Sequence, residues 1–426
     1  MQHNFKNLKS LLVWTLIAGF ALITTAVDAA AQFRYGTQLA SSARMHRSHH
    51  ASPNQVQPFL PTPTWSPTFA SQANLDTPPL RGGHSAVYDS NTDTMIVYGG
   101  FDGEFNMPAN PLTQTNANNS GGAFAGAWTE LFPNSYPNPP ARYWHSAVYD
   151  ETKNRMIIFG GCADAECLIS LNDTWVLSNA NGTGATASWT QLTPMGNLPS
   201  ARDLHNAVYD SANNRMIVFS GESSNGSTVY SDVWVLTNAN GLGGTPSWTQ
   251  LSPTGTPDAI DGNTAVYDPA SNKMIVFGGG DFLNSVWTLS NANGLGGTPV
   301  WTKLIANGTA GSPVGRWIAQ AIYDSTNNRM TIYGGNIDGG ITNPSDYDYV
   351  AASDVWVLSK ANGNGGTPTW TQLHPKVSGD KNVAPVGREF FSAVYDSATN
   401  SMIIFGGDTI EGVYQSTWVL SHANGL

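Results

Sequence analysis

Short apolar runs of four or five residues, separated by polar and glycine-rich stretches, recur along this chain from about residue 64 to its end. The clearest copy runs from Arg142 to Asp150 (Arg-Tyr-Trp-His-Ser-Ala-Val-Tyr-Asp). It continues after a turn from Arg155 to Gly161 (Arg-Met-Ile-Ile-Phe-Gly-Gly), then from Asp173 to Ser178 (Asp-Thr-Trp-Val-Leu-Ser), and closes with Ser188 to Leu192 (Ser-Trp-Thr-Gln-Leu). The runs are rich in Val, Ile, Phe, Tyr, Trp and Thr, which suit a pleated, half-buried surface, and they predict four strands, a to d. Between a and b stands Asp-x-x-x-Asn or a close variant, whose short polar side chains cap their own backbone in a tight turn. The glycine pair after strand b lets the chain bend where a side chain would collide. Past the N-terminal apolar run no segment keeps a 3.6-residue apolar period, so helix is expected to be nearly absent.

The tyrosine ending strand a returns at Tyr88, Tyr149, Tyr209, Tyr267, Tyr323 and Tyr395, which makes six copies spaced 56 to 72 residues apart. A four-stranded unit leaves both sheet faces apolar and covers them only by packing on neighbours. Six such units predict an all-β, six-bladed β-propeller with four antiparallel strands per blade. The ends favour a closed ring: strand d tryptophans stand at Trp65, Trp128, Trp189, Trp248, Trp301 and Trp370, and Trp65 precedes the first complete unit. The last unit, from Arg388, stops after strand c at Thr417 to Leu420. The strand at Trp65 is therefore expected to complete the last blade. A linear solenoid and a truncated array with a seventh blade are the rival arrangements.

Phe-Gly-Gly closing strand b, with a tryptophan further on in strand c, resembles the kelch repeat over about residues 64–421, and with it the galactose-oxidase-central-domain-like superfamily. The glycine pair stands at Gly99-Gly100, Gly160-Gly161, Gly278-Gly279, Gly334-Gly335 and Gly406-Gly407, with Ser220-Gly221 a near copy. The strand c tryptophans are Trp175, Trp234, Trp287, Trp356 and Trp418, and Leu112 takes that place in the first unit. The resemblance implies the propeller and says little of chemistry, since kelch propellers serve as binding scaffolds, oxidases and sugar isomerases.

The N-terminus reads as an address. Lys6 and Lys9, an apolar run from Leu11 to Ile23 and the small residues Ala29, Ala30 and Ala31 predict a signal peptide over 1–31. Residues 32–63, with His46, His49 and His50 among Ser, Pro and Gln, are expected to form a flexible leader, and 64–426 the propeller. The protein is thus expected to be secreted or periplasmic, with no membrane span in its mature chain. The formal charge of −11 becomes −12 once Lys6, Lys9 and Asp28 are removed. That sign argues against nucleic acid and anionic membranes and leaves neutral ligands open. Cys162 and Cys167, the two cysteines, are expected to pair as a local disulfide, with metal binding the rival.

Positions filled alike in every unit are accounted for by the fold; departures need another reason. Arg81, Arg142, Arg202, Arg316 and Arg388 open strand a, with Ile260 in the fourth unit, and such regularity points to a structural bond. Three residues on come His84, His145 and His205, expected to crowd the channel mouth, either as a metal-binding trio or bonded between blades. Past the expected signal peptide, Trp144 and Trp317 are the tryptophans outside the repeat pattern; with Tyr143, Arg316 and Phe390 they form the candidate ligand-binding set. The loops from b to c are acidic at Asp102, Glu104, Asp164, Glu166, Glu222, Asp281, Asp338, Asp408 and Glu411, without calcium-motif spacing. Nucleophile and phosphate-loop motifs are missing. No metal or cofactor is expected. The first functional expectation is a non-catalytic binding module for a glycan or protein at the cell surface. The second is a sugar mutarotase or epimerase with Arg142, His145, His205 and Glu389 as acid–base candidates.

Overall fold

Alternation of inward and outward side chains sorts these short runs into sheets. In a computed structural model, residues 61–68, 78–104, 106–120, 126–257, 261–339, 349–378, 384–409 and 411–426 are described. The expected signal peptide, and the leader up to residue 60, lie outside them. Six blades of four antiparallel strands follow in chain order, the sixth extended by the short parallel strand Lys376–Val377. Two small loop sheets, Arg316–Trp317 with Asn336–Asp338 and Tyr349–Ala351, and Asp408–Thr409 with Gly412–Val413, lie beside them. Blade one comprises Ser85–Asp89, Thr94–Tyr98, Leu112–Thr115 and Trp128–Glu130; blade two, Ser146–Asp150, Arg155–Phe159, Thr174–Ser178 and Ser188–Gln191. Blade three is Asn206–Asp210, Arg215–Phe219, Val233–Thr237 and Ser247–Leu251; blade four, Thr264–Asp268, Lys273–Phe277, Val286–Ser290 and Val300–Ile305. Blade five is Gln320–Asp324, Arg329–Tyr333, Val355–Ser359 and Thr369–Leu373. Blade six joins Ser392–Asp396, Ser401–Phe405 and Thr417–Ser421 to the leading strand Thr64–Thr68.

That last pairing places Thr64 opposite Ser421 and Thr68 opposite Thr417. On its outer side this strand pairs in parallel with Lys376–Val377 at Thr64 and Trp65 alone, so Pro67 lies past that pairing, where no outward amide is needed. The inner strands adjoin one another around a complete cycle, blade six returning to blade one. Leu112 faces Val97 as Trp175 faces Ile158, so the tryptophan-less strand of blade one keeps the common register.

Two interactions repeat at every blade junction. The strand d ring of each blade packs on the strand b aromatic of the blade before it: Trp189 on Tyr98, Trp248 on Phe159, Trp301 on Phe219 and Trp370 on Phe277. Trp65 on Tyr333 and Trp128 on Phe405 complete the set. In addition, the asparagine after each strand c donates to the aspartate ending the preceding blade's strand a. These pairs are Asn118–Asp396, Asn181–Asp89, Asn240–Asp150, Asn293–Asp210, Asn362–Asp268 and Asn424–Asp324, all at 2.5 to 2.7 Å. A buried hydrogen bond to a charged acceptor contributes about 1.5–3 kcal/mol. The tail residues Ser-His-Ala-Asn-Gly-Leu, which in other blades lead on to strand d, here supply the sixth of these bonds. Among the described residues this closed cycle leaves no place for a linear array or a seventh blade.

The repeat arginines hold the blades from within. Each donates to the carbonyl at the end of its own strand b, such as Arg142 to Gly160 O at 2.9 Å and Arg388 to Gly406 O at 2.9 Å. Arg142, Arg202 and Arg316 also make two-pronged ion pairs with Asp173, Asp232 and Asp354, with closest approaches of 2.7 Å. Burial pushes the carboxyls of Asp232 and Asp354 up, but the bonds from Arg202 and Arg316 outweigh it and hold both below the usual range. The glycine pair follows from crowding: a Cβ on Gly161 would stand 2.7 Å from Tyr143 O and from His145 Cβ.

Candidate functional site

Strand a enters the sheet through a tight backbone corner, and the six corners meet around the central axis. The corner residues Gly83, Trp144, Leu204, Gly262, Ile318 and Phe390 all have positive φ, between 51° and 66°. Their backbones join from blade to blade: Gly83 N donates to Phe390 O at 2.8 Å, Trp144 N to Gly83 O at 2.8 Å, and Leu204 N to Trp144 O at 3.1 Å. Holding a non-glycine residue in this region costs roughly 1–3 kcal/mol, a cost met more often at functional sites than elsewhere.

The residue before each corner faces the third residue after strand b. These opposed pairs are Gly82 with Phe101, Tyr143 with Cys162, Asp203 with Glu222, Trp317 with Asn336, and Glu389 with Asp408. In blade four, Gly280 N donates to Asp261 O. Directly opposed residues point to the same face of a sheet. Side chains of these pairs thus form a belt at the mouth, and neighbouring blades touch along it at three junctions. The Phe101 ring lies edge-on to Tyr143 at 5.6 Å, Cys167 Sγ lies 3.3 Å from Asp203 Oδ2, and Asn336 Nδ2 donates to Glu389 Oε2.

At the junction of blades six and one the belt is interrupted, because Asp408 is followed by Gly82. Among the described residues Asp408 Oδ1 is buried without a hydrogen-bond partner. Burial, and then the neighbouring Glu389 charge, push the Asp408 carboxyl well above its usual value. Burial likewise raises Glu389, to about 7, against a lowering bond from Asn336. The two carboxyls face each other across one bridge, so ionising one opposes ionising the other. The glycines of blade one also open the way for rings: a Cβ on Gly83 would stand 3.0 Å from Trp144 Cδ1. Trp144 therefore passes over blade one to stack on Phe390, with centroids 5.2 Å apart and planes at 28°. Trp317 meets Phe390 edge-on at 6.0 Å.

The sequence-derived candidates divide accordingly. Trp144, Trp317, Phe390 and Glu389 are half-buried and meet at the mouth. Tyr143 is a buried strut against Trp144, and its hydroxyl donates to Ala165 O. Arg142 and Arg316 are fully buried and engaged by Asp173 and Asp354, so they do not present guanidiniums to a ligand. The expected crowding of histidines at the mouth is corrected: each lies buried at a blade junction. Their Nε2 atoms meet serine hydroxyls of the preceding blade, His84 with Ser392, His145 with Ser85 and His205 with Ser146, at 2.7 to 2.9 Å. Burial, followed by the adjacent Arg81 and Arg202 charges, lowers His84 and His205 to about 3, so these rings are neutral. Ile260 lies outside the described residues. Cys162 and Cys167 form the disulfide. With Asp203 they are the one described group bringing three ligand-type atoms within 4.8 Å, but both sulfurs are occupied by their mutual bond. Gly82, Gly83 and Asn336 were not singled out from sequence. The signal for the first two was present: blade one alone places Gly-Gly after the strand a arginine.

Residues 124–240 and 183–309 match the family described as the KLHDC2/KLHL20/DRC7 Kelch-repeats domain. The fold is a β-propeller of the kelch type, and residues 124–309 carry kelch repeats. Among solved structures, the kelch propeller resembles YjhT at TM-score 0.55 and 17% identity, over 81% of this chain and 96% of that one. It also aligns with a fungal alcohol oxidase of the AA5 family in complex with copper, at TM-score 0.49 and 16% identity, over 85% of this chain and 76% of that one. A curated relative is the flagellar outer-arm dynein alpha chain of Chlamydomonas reinhardtii, 26% identical over 286 residues. That match takes in 66% of this chain but 6% of the dynein chain. Among the described residues, no helix is long and apolar enough to cross a membrane.

Proposed function

We propose that this kelch propeller is an exported binding module that takes a carbohydrate at the channel mouth. The observation that carries the reading is the stacked pair Trp144 and Phe390, with Trp317 edge-on, held half-buried beside the Glu389 and Asp408 carboxyls. Flat rings match the apolar face of a pyranose, and neighbouring carboxyls accept or donate bonds to its hydroxyls. Rigid corners at the axis fix these rings before a ligand arrives, which reduces the ordering cost of binding. Export rests on the N-terminal pattern over residues 1–31. A glycan array probed with the purified protein tests the reading, paired with a Trp144→Ala, Trp317→Ala double variant. Binding that survives in the double variant would remove the stacking site.

A second reading has its own support. Glu389, raised to about 7, is half-protonated near neutral pH, as suits a general acid–base group. A mutarotase or epimerase acting on the bound sugar would use Glu389 with Asp408, while Arg142, His145 and His205 serve the framework. Anomer exchange followed by NMR, with Glu389→Gln as control, decides between holding and converting the sugar.

A further inference from the structure

The mouth is chemically lopsided. None of the six loops between strands b and c contains a lysine or arginine, whereas they carry Asp102, Glu104, Asp164, Glu166, Asp281 and Glu411 besides the belt carboxyls. The arginines nearest the axis are buried and bonded to strand b carbonyls. Belt carboxyls stand in blade three, at Asp203 and Glu222, and in blade six, at Glu389 and Asp408, on opposite sides of a six-membered ring. Blade six differs from the rest of the belt in one respect. The next position is Gly82, which offers Asp408 no side chain, and among the described residues the Asp408 Oδ1 is buried without a hydrogen-bond partner. A buried carboxyl oxygen in that condition calls for a donor from outside the chain.

We infer that the mouth selects a cationic sugar, an amino sugar whose ammonium group enters between Glu389 and Asp408 while its ring lies on the Trp144, Phe390 and Trp317 platform. An ammonium supplies three donors and a full charge to two opposed carboxyls. The same cation gains attraction from the tryptophan face. Phe390 is the corner residue directly after Glu389 and the ring on which Trp144 stacks, so charge and platform are contiguous. Arg388 and Arg81, the cations of the adjoining strands, donate to Gly406 O and Gly99 O and leave the carboxyl pair unanswered. Asn336 answers one oxygen of Glu389.

This inference rests on the carbohydrate reading, and the test separates the two. The purified protein is titrated calorimetrically at pH 7 with the β-1,4-linked glucosamine trimer and with its fully N-acetylated counterpart. The expected result is binding of the amine form about tenfold or more tighter, with that ratio falling to about one in Glu389→Gln and in Asp408→Asn. Binding of both trimers with equal affinity overturns the amine selectivity and leaves the carbohydrate reading standing. Failure of both trimers overturns the two together. Spermidine is the control for charge alone. If it binds as tightly as the glucosamine trimer, and equally well to Trp144→Ala, the ring contributes nothing and the inference falls.

Discussion

Replacing Trp65 by alanine removes a ring that sits 63 positions before the next strand d tryptophan, Trp128, yet is as deeply buried as any of them. Trp65 is 2% exposed, lies 5.1 Å from the Tyr333 ring and belongs to a core with Ile322, Val355, Phe391 and Leu420. Deleting such a buried aromatic costs about 3–5 kcal/mol through lost transfer energy and the cavity left behind. Trp370, its counterpart one blade earlier, packs the same way on Phe277 and is the internal standard. Unfolding entropy of about 2.1 cal/mol/K per residue, over the roughly 365 residues from Thr62 to Leu426, gives about 0.77 kcal/mol/K. A loss of about 4 kcal/mol therefore lowers the melting temperature by about 5 °C. Differential scanning calorimetry of Trp65→Ala and Trp370→Ala should show shifts equal within about 2 °C. A shift below about 1 °C for Trp65→Ala, beside a full shift for Trp370→Ala, would mean that the leading strand is a loosely attached flap and that the ring is not closed by it.

Other expected outcomes follow from the same framework. Asn424→Ala should cost about 1.5–3 kcal/mol, the value of a buried bond to a carboxylate, and match Asn240→Ala in urea unfolding despite lying two residues before Leu426. Arg202→Met should cost about 3–5 kcal/mol by stranding the partly buried Asp232, and the loss should shrink when Asp232→Asn is added in a double-mutant cycle. Glu389 has its folded pKa raised to about 7, so its neutral form favours the fold: that contribution is full below about pH 4.5 and is lost as pH rises through 7. Glu389→Gln should therefore melt near the wild-type temperature at pH 4 and above it at pH 8, and melting curves that stay parallel across this range would contradict the raised pKa. Cleavage of the Cys162–Cys167 bond by a thiol reductant should weaken sugar binding, since Tyr143, the brace of Trp144, packs on that disulfide in a small core with Phe101.

The repeat was legible because each strand is decided by its own few residues. Alternating burial places Val148 and Asp150 inward on strand a, and Met156 to Phe159 are buried on both faces, which needs only period and composition to foresee. Even the tryptophan-less strand at Leu112 could be aligned by its place after the glycine pair. The site was legible in part. Trp144, Trp317 and Phe390 stood out as departures from the repeat. Their mutual stacking did not, because it depends on Gly83 being small in a different blade. Asp408 was one acidic loop residue among many; its isolation arises from a bridge to Glu389 nineteen positions back within blade six and from the missing side chain at Gly82 of blade one, the second a property of closure. The histidines misled because their regular spacing looks the same whether a ring nitrogen meets a neighbour's serine or a shared centre. The asparagine cycle was hidden behind ordinary turn chemistry, since Asn-Ala-Asn-Gly explains a turn without any distant partner.

The antiparallel seam between Thr64–Thr68 and Thr417–Ser421 brings the two ends of the fold side by side. A circular permutant follows directly: a short linker can join residue 426 to residue 62, and new termini can be cut in the turn between strands c and d of another blade, near Leu242 to Thr245. Such a rearranged gene should yield the same six sheets with an uninterrupted blade six, and it would give the seam now bridged by hydrogen bonds a covalent connection.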